Sequence, residues 1–396
     1  MVSVNEAKEK VIANAPVLSG EVKKLADALG YVLAEDILAP FSQPSFRQSS
    51  MDGYAIIHSD ILHSGTELTL SGESKAGQTV ALSLQSGQAI RIFTGAMVPD
   101  EATAVIMQEH TEVKEGKVLI HEFPVPEGKN VREIGKQIKK GAMALPGGTY
   151  LSPGSIGFLQ GMAVTEVNVY RKPKIGLLLT GDELLKIGDP LTPGKIYESN
   201  SAMLIAALSQ EGITDIEVTY AADDLDSTVA ALKDLTVKND VILASGGISV
   251  GDYDFVGAAL KEVGTEQVFY KVKQKPGKPL MFAKKEEKLF FALPGNPASS
   301  LVCYYEYVLP ALRKMMGRND LFLKSLQMPV KYPYAFDGQR DEFLKAMIAG
   351  DEVIPLDGQE SFALRSFAVA DAIIYLPTTQ NKVKPGDLVE VHLLPF

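Results

Sequence analysis

Three times between residues 174 and 300 a short apolar run ends in a glycine-bearing loop: at 174–189 (KIGLLLTGDELLKIGD), 240–254 (DVILASGGISVGDYD) and 288–300 (KLFFALPGNPASS). Each run is too short for a buried helix, and helical spacing follows the second and the third. Strand, glycine turn and helix in succession describe the carboxyl edge of an open α/β sheet, where ligands bind in the crevice outside the strand ends. A cleft is thus located before anything says what fills it.

The alternation of strand and helix extends across 172–317. Strand 215–221 precedes helix 225–235, and Asn200 is placed to cap helix 201–211. Helix 255–263 stops at Gly264, and a long last helix, 297–316, carries proline in its first turn. This order predicts a mostly parallel sheet in three layers, α/β/α. The flanks read differently. Ser3 and Glu6 form a capping box for a helix over 3–15. A second helix is expected over 24–35 from the apolar Leu25, Ala28, Leu29, Val32 and Leu33, and 41–50 reads as an extended connector. Between 51 and 140, short alternating runs (67–70, 79–82, 89–93, 104–108, 117–121) separated by Gly, Ser and Pro predict an inserted β-rich domain. A helical stretch follows near 156–162. From 320 the β texture returns, and a KPG turn at 384–386 leads into an alternating strand. The expected architecture is multidomain α/β plus β. It comprises an N-terminal mixed domain (1–46 with 141–171), the inserted β-rich domain (47–140), the central three-layer α/β/α domain (172–319) and a C-terminal β-barrel (320–396).

Charge narrows the partners. With 39 basic and 49 acidic residues the formal charge is −10, which argues against bulk attraction to nucleic acid or to an acidic membrane. No apolar run approaches the roughly 18 residues of a membrane span, and the polar start (MVSVNEAKEK) lacks a signal-peptide core. One cysteine excludes an internal disulfide, so a cytoplasmic setting is expected. Residues 271–278 (KVKQKPGK) run against the overall charge, with four lysines in eight positions shaped by proline and glycine. Such a run is either a solvated hairpin or the cradle of an anion. Lys275 and Lys278 are expected to act on bound anion rather than on folding, because long cationic side chains at a turn are normally solvated.

The loops supply the chemistry. In TGDEL (180–184), glycine lets the backbone approach a ligand while Asp182 and Glu183 set two carboxylates at the sheet edge, unless Asp182 only caps a helix. In SGGISVGDYD (245–254), Gly246, Gly247 and Ser249 belong to a loop whose consecutive N–H groups can cradle a phosphate. Asp252 and Asp254 follow, either to hold Mg²⁺ or to cap the next helix. Asp223 and Asp224 end another strand on the same side, one suited to capping and the other to reaching the site. In LPGNP, Pro294 and Pro297 fix a loop that leaves Gly295 and Asn296 free to approach an anion at a helix N-terminus. No dinucleotide fingerprint, P-loop or nucleophile elbow is present. The five histidines lack zinc spacing, and Cys303 sits on an apolar helix face as a core residue.

Six segments, SSMDGYA (49–55), TGAMVP (94–99), TGDEL, SGGISVGDYD, KPGKP and LPGNP, resemble in order and spacing the MoeA type of molybdopterin molybdenumtransferase, related to the E-domain of gephyrin. The resemblance spans essentially the whole chain. It implies insertion of molybdate into adenylylated molybdopterin with release of AMP, assisted by Mg²⁺, in an elongated homodimer whose sites combine both subunits. It also implies the upstream molybdopterin adenylyltransferase as a partner. Position by position, it carries functional roles onto Asp52, Thr94, Glu183, Asp254, Lys275, Lys278, Pro294 and Pro297. Asp223 or Asp224 takes a further acidic place, so that Glu183, Asp223, Asp224 and Asp254 are the candidate metal ligands. The pattern departs at 135–138 (GKQI), where Gln137 stands in place of the family's usual aspartate. Two other readings remain open. A molybdopterin adenylyltransferase shares the α/β domain but lacks the flanking domains, and a non-catalytic molybdopterin-binding scaffold would explain Gln137.

Overall fold

The computed structural model describes residues 1–79, 82–246, 248 and 255–395. The chain forms two compact units, one of Met1–Ala34, Gly148–Pro153 and Glu166–Phe396, the other of Glu35–Gly147 and Gly154–Thr165.

The larger unit is organised by a six-stranded sheet in the order Ile216–Ala221, Ile175–Thr180, Val241–Ser245, Lys288–Leu293, Met281–Lys285, Glu266–Tyr270. The first four strands run parallel, Met281–Lys285 runs antiparallel to both its neighbours, and Glu266–Tyr270 returns to the direction of the first four. Successive side chains leave a strand on opposite faces. Accordingly Leu177, Leu243 and Phe291 enter one apolar cluster while Leu178, Ile242 and Phe290 enter another. Leu204 and Leu208 of helix Asn200–Gln210 complete the first cluster. The second takes Leu232 from helix Leu225–Lys238 and Leu260 from helix Phe255–Glu262. Burial on both faces is why these strands read as unbroken apolar runs.

From the Ile175–Thr180 strand the chain moves to a neighbour on one side, then returns to Val241–Ser245 on the other. That reversal opens a crevice between the carboxyl ends of two adjacent parallel strands. The register keeps the ends level, with Thr180 opposite Ala221, Leu179 opposite Ser245, and Ser245 opposite Leu293.

Three local expectations change. Instead of a helix over 24–35, Gly20–Lys24 is a strand paired with Glu166–Tyr170, followed by a single 3₁₀ turn at Leu25–Asp27. Gly30 then turns the chain at φ +78°, and Val32 and Leu33 bridge to Tyr150 and Val169. The last helix is not uniform. Pro297–Cys303 and Leu309–Met315 are α-helical, but Tyr304–Val308 is a π-helical turn. Pro310 has no N–H for the Glu306 carbonyl four residues back, and a widened turn relieves the clash. The third change concerns Asn200, which opens its helix without capping it; the first-turn Ser201 N–H donates to Glu198 at 2.8 Å instead.

The C-terminal strands pair in the order Asp341–Ala349, Ala372–Leu376, Leu388–Leu393, Ser325–Pro329, with Glu352–Pro355 beside the first. Gln274–Lys275, from the lysine-rich loop, joins this sheet parallel to Asp341 and Glu342. In the smaller unit six strands run in the order Ala104–Met107, Gly53–Ile56, Gln88–Ile92, Thr66–Ser74, Lys117–Ile120, Thr111–Lys114. Four of the five expected alternating runs fall on these strands; the fifth, 79–82, includes residues outside the described set. Among the described residues no helix is long and apolar enough to cross a membrane.

Candidate functional site

The loops after the four parallel strands converge on one cavity of about 510 Å³. Thr180, Gly181 and Glu183 contribute from the first loop, Asp223 from the second, Ser245 and Gly246 from the third, and Pro294, Gly295, Asn296 and Pro297 from the fourth. Gly246 is required by geometry. At φ +103° a Cβ there would stand 2.3 Å from the Thr180 carbonyl oxygen, so only glycine lets the two strand ends meet. Gly247, Ser249, Asp252 and Asp254 lie outside the described residues.

The acidic residues divide their work. Asp224 caps helix Leu225–Lys238, accepting from the Ser227 N–H and hydroxyl, both at 2.8 Å. Those two bonds hold its carboxyl below the ordinary carboxylate range. Asp223 lines the cavity, and its pKa is raised, first by burial and then by the neighbouring charges of Asp182, Glu183 and Asp224. The doublet therefore splits into one cap and one site carboxylate. No helix begins at Asp182; the chain instead forms the short strand Leu184–Leu185. The Glu183 carboxylate folds over Gly181, 2.8 Å from where a Cβ would stand. Among the described residues no three His, Cys, Asp or Glu side chains converge as a metal-holding group.

A second pocket of about 280 Å³ shares Pro279, Pro294 and Asn296 with the first. Lys275, Lys278 and Arg340 bring three cations to it, and Ser299 and Ser361 bring hydroxyls. Lys278 is exposed and makes no ion pair among the described residues. Lys275 is exposed as expected, its side chain 51% accessible, but it is also paired within the fold. Its Nζ lies 3.0 Å from Glu342 Oε1, on a carboxylate only 4% exposed whose other oxygen accepts from the Tyr334 hydroxyl at 2.6 Å. Pairing of Gln274–Lys275 with the C-terminal sheet brings this about. Gly277, at φ +86°, is pinned as well: a Cβ would come within 2.6 Å of Cys303 Sγ.

Arg340, Ser361 and Phe362 escaped the sequence reading. They belong to loops of the C-terminal segment without motif or charge run, and only the fold carries them to the cavities.

Asp52 and Thr94 sit in the smaller unit, at the ends of paired strands where Gly53 faces Ile92. Thr94 donates its N–H and its hydroxyl to Asp52 Oδ1, each at 2.8 Å. The N–H first, then the hydroxyl, holds the Asp52 carboxyl below its ordinary range. Gly53 has no alternative, since a Cβ would overlap the Ile106 carbonyl at 1.8 Å. Gln137 is an exposed residue of the same unit whose backbone N–H donates to the Gln43 carbonyl at 2.9 Å.

A ligand cleft at the carboxyl ends of parallel strands defines the central unit as an open α/β binding protein. Comparison with known proteins narrows the class. Residues 2–163 match the MoeA N-terminal region (domain I and II), 176–314 a probable molybdopterin binding domain, and 327–394 the MoeA C-terminal region (domain IV). The molybdopterin molybdenumtransferase of Haemophilus influenzae is 35% identical, covering 100% of this chain and 99% of that protein. That of Bacillus subtilis is 31% identical, over 99% and 94%. The crystal structure of the molybdopterin biosynthesis MoeA protein from Pyrococcus horikoshii OT3 superposes with TM-score 0.87 at 27% identity, covering 100% of both chains. A second Pyrococcus MoeA structure gives 0.82 at 30% identity over 99% of each. The chain belongs to the MoeA-type molybdopterin molybdenumtransferases, enzymes of molybdenum cofactor biosynthesis.

Proposed function

We propose that the protein takes adenylylated molybdopterin and molybdate and releases AMP and molybdenum cofactor, with Mg²⁺ assisting. The observation that carries this reading is the junction of two unlike pockets. A carboxylate-bearing cavity adjoins a smaller one lined by Lys275, Lys278 and Arg340, and Asn296 is common to both. The cationic pocket suits a tetrahedral dianion, because ammonium and guanidinium groups make charge-assisted hydrogen bonds to such oxygens. Molybdate there would lie beside whatever occupies the larger cavity.

Mg²⁺ is usually held by one or two carboxylates together with substrate phosphates, so a complete protein cage is not required. Glu183 and Asp223 fit that donor set. The raised pKa of Asp223, set by burial and three nearby carboxylates, is what a cation would relieve. Asp224 is committed to its helix cap. When bound, Mg²⁺ neutralises charge developing on the departing phosphate. Gly246, Gly295 and the start of helix Pro297–Cys303 offer backbone approach to the phosphates. Asp254, Gly247 and Ser249 retain the roles that the resemblance gives them.

The proposal extends to a cytoplasmic homodimer of four-domain subunits, with a three-layer central domain and a C-terminal β-barrel. Asp52, pre-oriented by Thr94, would serve a site shared between subunits. Mixing Asp52→Ala and Glu183→Ala subunits should then restore activity toward one intact site in two. Activity no higher than either parent, despite demonstrated subunit exchange, would contradict sharing. The direct test of the function is AMP release from adenylylated molybdopterin with and without molybdate. Molybdate-dependent release without ATP is expected; consumption of ATP and molybdopterin to form the adenylylated compound would point to the preceding reaction.

A further inference from the structure

A buried lysine stands where the pattern of its strand calls for an apolar side chain. In Asp341–Ala349, Phe343 and Lys345 leave the strand on the same face. Phe343 joins the apolar cluster that holds Leu177 and Phe291, as does Ile373, which sits opposite Lys345 in the antiparallel pair. Lys345 itself is only 1% exposed. A charge in such a place is costly unless it is fully hydrogen-bonded. Here it is. Nζ donates to the carbonyls of Gly358 at 2.6 Å, Glu360 at 3.1 Å and Ala363 at 3.2 Å, which uses all three donors of an ammonium.

The three carbonyls belong to one loop, which wraps the ammonium as it would a bound cation. The Lys345 backbone holds the same loop. Its N–H donates to Gln359 Oε1 at 2.9 Å, and its carbonyl accepts from Gln359 Nε2 at 2.8 Å. Gln359 and Ser361 line the cationic pocket, whereas Lys345 lines neither pocket. On its other side Ser361 is tied to the start of the last helix. Its hydroxyl accepts from Asn296 Nδ2 at 2.7 Å and its carbonyl from the Ser299 N–H at 3.2 Å. The proton of that hydroxyl has no acceptor among the described residues, so it is available to an oxyanion in the pocket.

We propose that Lys345 is a positioning residue for the oxyanion pocket: its ammonium takes the place of a bound cation inside loop 358–363 and so holds the Ser361 hydroxyl where it can donate to the anion. This rests on the transferase reading, in which that anion is molybdate. A methionine of similar length would satisfy the apolar face but leave three carbonyls without a donor. The loop, rather than the core, is what requires lysine here.

Molybdate-dependent AMP release by the full chain tests this in Lys345→Met, Ser361→Ala and the double variant, each assayed below its melting temperature. Lys345→Met should raise the molybdate concentration for half-maximal release roughly tenfold, with the KM for adenylylated molybdopterin unchanged. Ser361→Ala should do the same at nearly wild-type stability. The double variant should be no worse than the more impaired single variant, because both changes remove one interaction. If Lys345→Met does not fold, Lys345→Arg takes its place in the cycle, since a planar fork cannot meet three carbonyls converging on one point. Additive effects, unchanged molybdate dependence once Lys345 is replaced, or an equal rise in the KM for adenylylated molybdopterin overturns the proposal and leaves the transferase reading intact. Absence of molybdate-dependent release from wild type removes the transferase reading, and this proposal with it.

Discussion

Lys278→Ala is expected to raise the molybdate concentration needed for half-maximal AMP release by roughly 10- to 100-fold, with the melting temperature essentially unchanged. A hydrogen bond to a charged group contributes about 1.5–3 kcal/mol, and each 1.4 kcal/mol is a factor of about ten. The Lys278 side chain is exposed and lines the cationic pocket without an ion-pair partner among the described residues, and the fold uses its backbone carbonyl, which alanine keeps. Lys275→Ala should behave differently. Its loss leaves the Glu342 carboxylate, 4% exposed, with the Tyr334 hydroxyl as its remaining side-chain partner. A buried acceptor deprived of its cation costs on the order of 1–3 kcal/mol. This variant should therefore lose stability as well as molybdate affinity, and Lys275→Ala with Glu342→Gln should recover part of the stability but none of the affinity. Measuring melting temperature and molybdate dependence on all three proteins decides the matter. Equal stabilities for the two single lysine variants would show that the Lys275–Glu342 pair contributes nothing to folding.

The contrast between these neighbouring lysines marks where reading a sequence stops. Apolar runs of Ile175–Thr180, Val241–Ser245 and Lys288–Leu293 were legible because a strand buried on both faces admits little else. Their glycine loops were legible because close backbone approach excludes a Cβ, as Gly246 illustrates against Thr180. Tertiary partners were not. Glu342 lies 67 residues beyond Lys275 and reaches it only through pairing between the lysine-rich loop and the C-terminal sheet. Asn200 has the composition of a helix cap, yet its amide is used at the sheet edge because Ser245 and Gly295 stand within reach. The Asp223–Asp224 doublet could be divided into roles only once Ser227 was seen to take Asp224. The last helix was read as continuous over 297–316 although Pro310 lies inside it, and whether such a proline produces a kink or a π-turn depends on what packs there.

What packs there gives the second large effect. Replacing Glu306 with Gln is expected to cost about 3–5 kcal/mol and to weaken the alkaline loss of stability. Glu306 lies in the π-helical turn, 3% exposed, with Lys8 Nζ at 2.6 Å on one oxygen and His392 Nδ1 at 2.8 Å on the other. Glu390 accepts the second ring nitrogen of His392 at 3.0 Å, and Tyr375 stacks on the imidazole. Burial opposes charge on Glu306, but Lys8 and then His392 outweigh it and bring its pKa down to about 2. Burial likewise opposes charge on His392, and Glu306 with Glu390 overcomes it, raising the pKa to about 9. A depressed carboxyl stabilises above its unfolded value of about 4.3, and that contribution is lost as pH falls toward 2. A raised imidazole contributes fully below its unfolded value of about 6.5, and the contribution is lost as pH climbs through 9. Both describe one coupled cluster, so their energies are not added. The alkaline arm is the cleaner measurement, because general acid denaturation obscures the other. Removing one partner from a buried pair exposes the full desolvation of those left behind, hence the size of the effect. Melting temperatures from pH 6 to 10 should fall through about 9 in the wild type and fall less, and from a lower pH, in Glu306→Gln, where Glu390 alone still raises His392. Parallel curves for the two proteins would mean that this cluster does not set the alkaline limit.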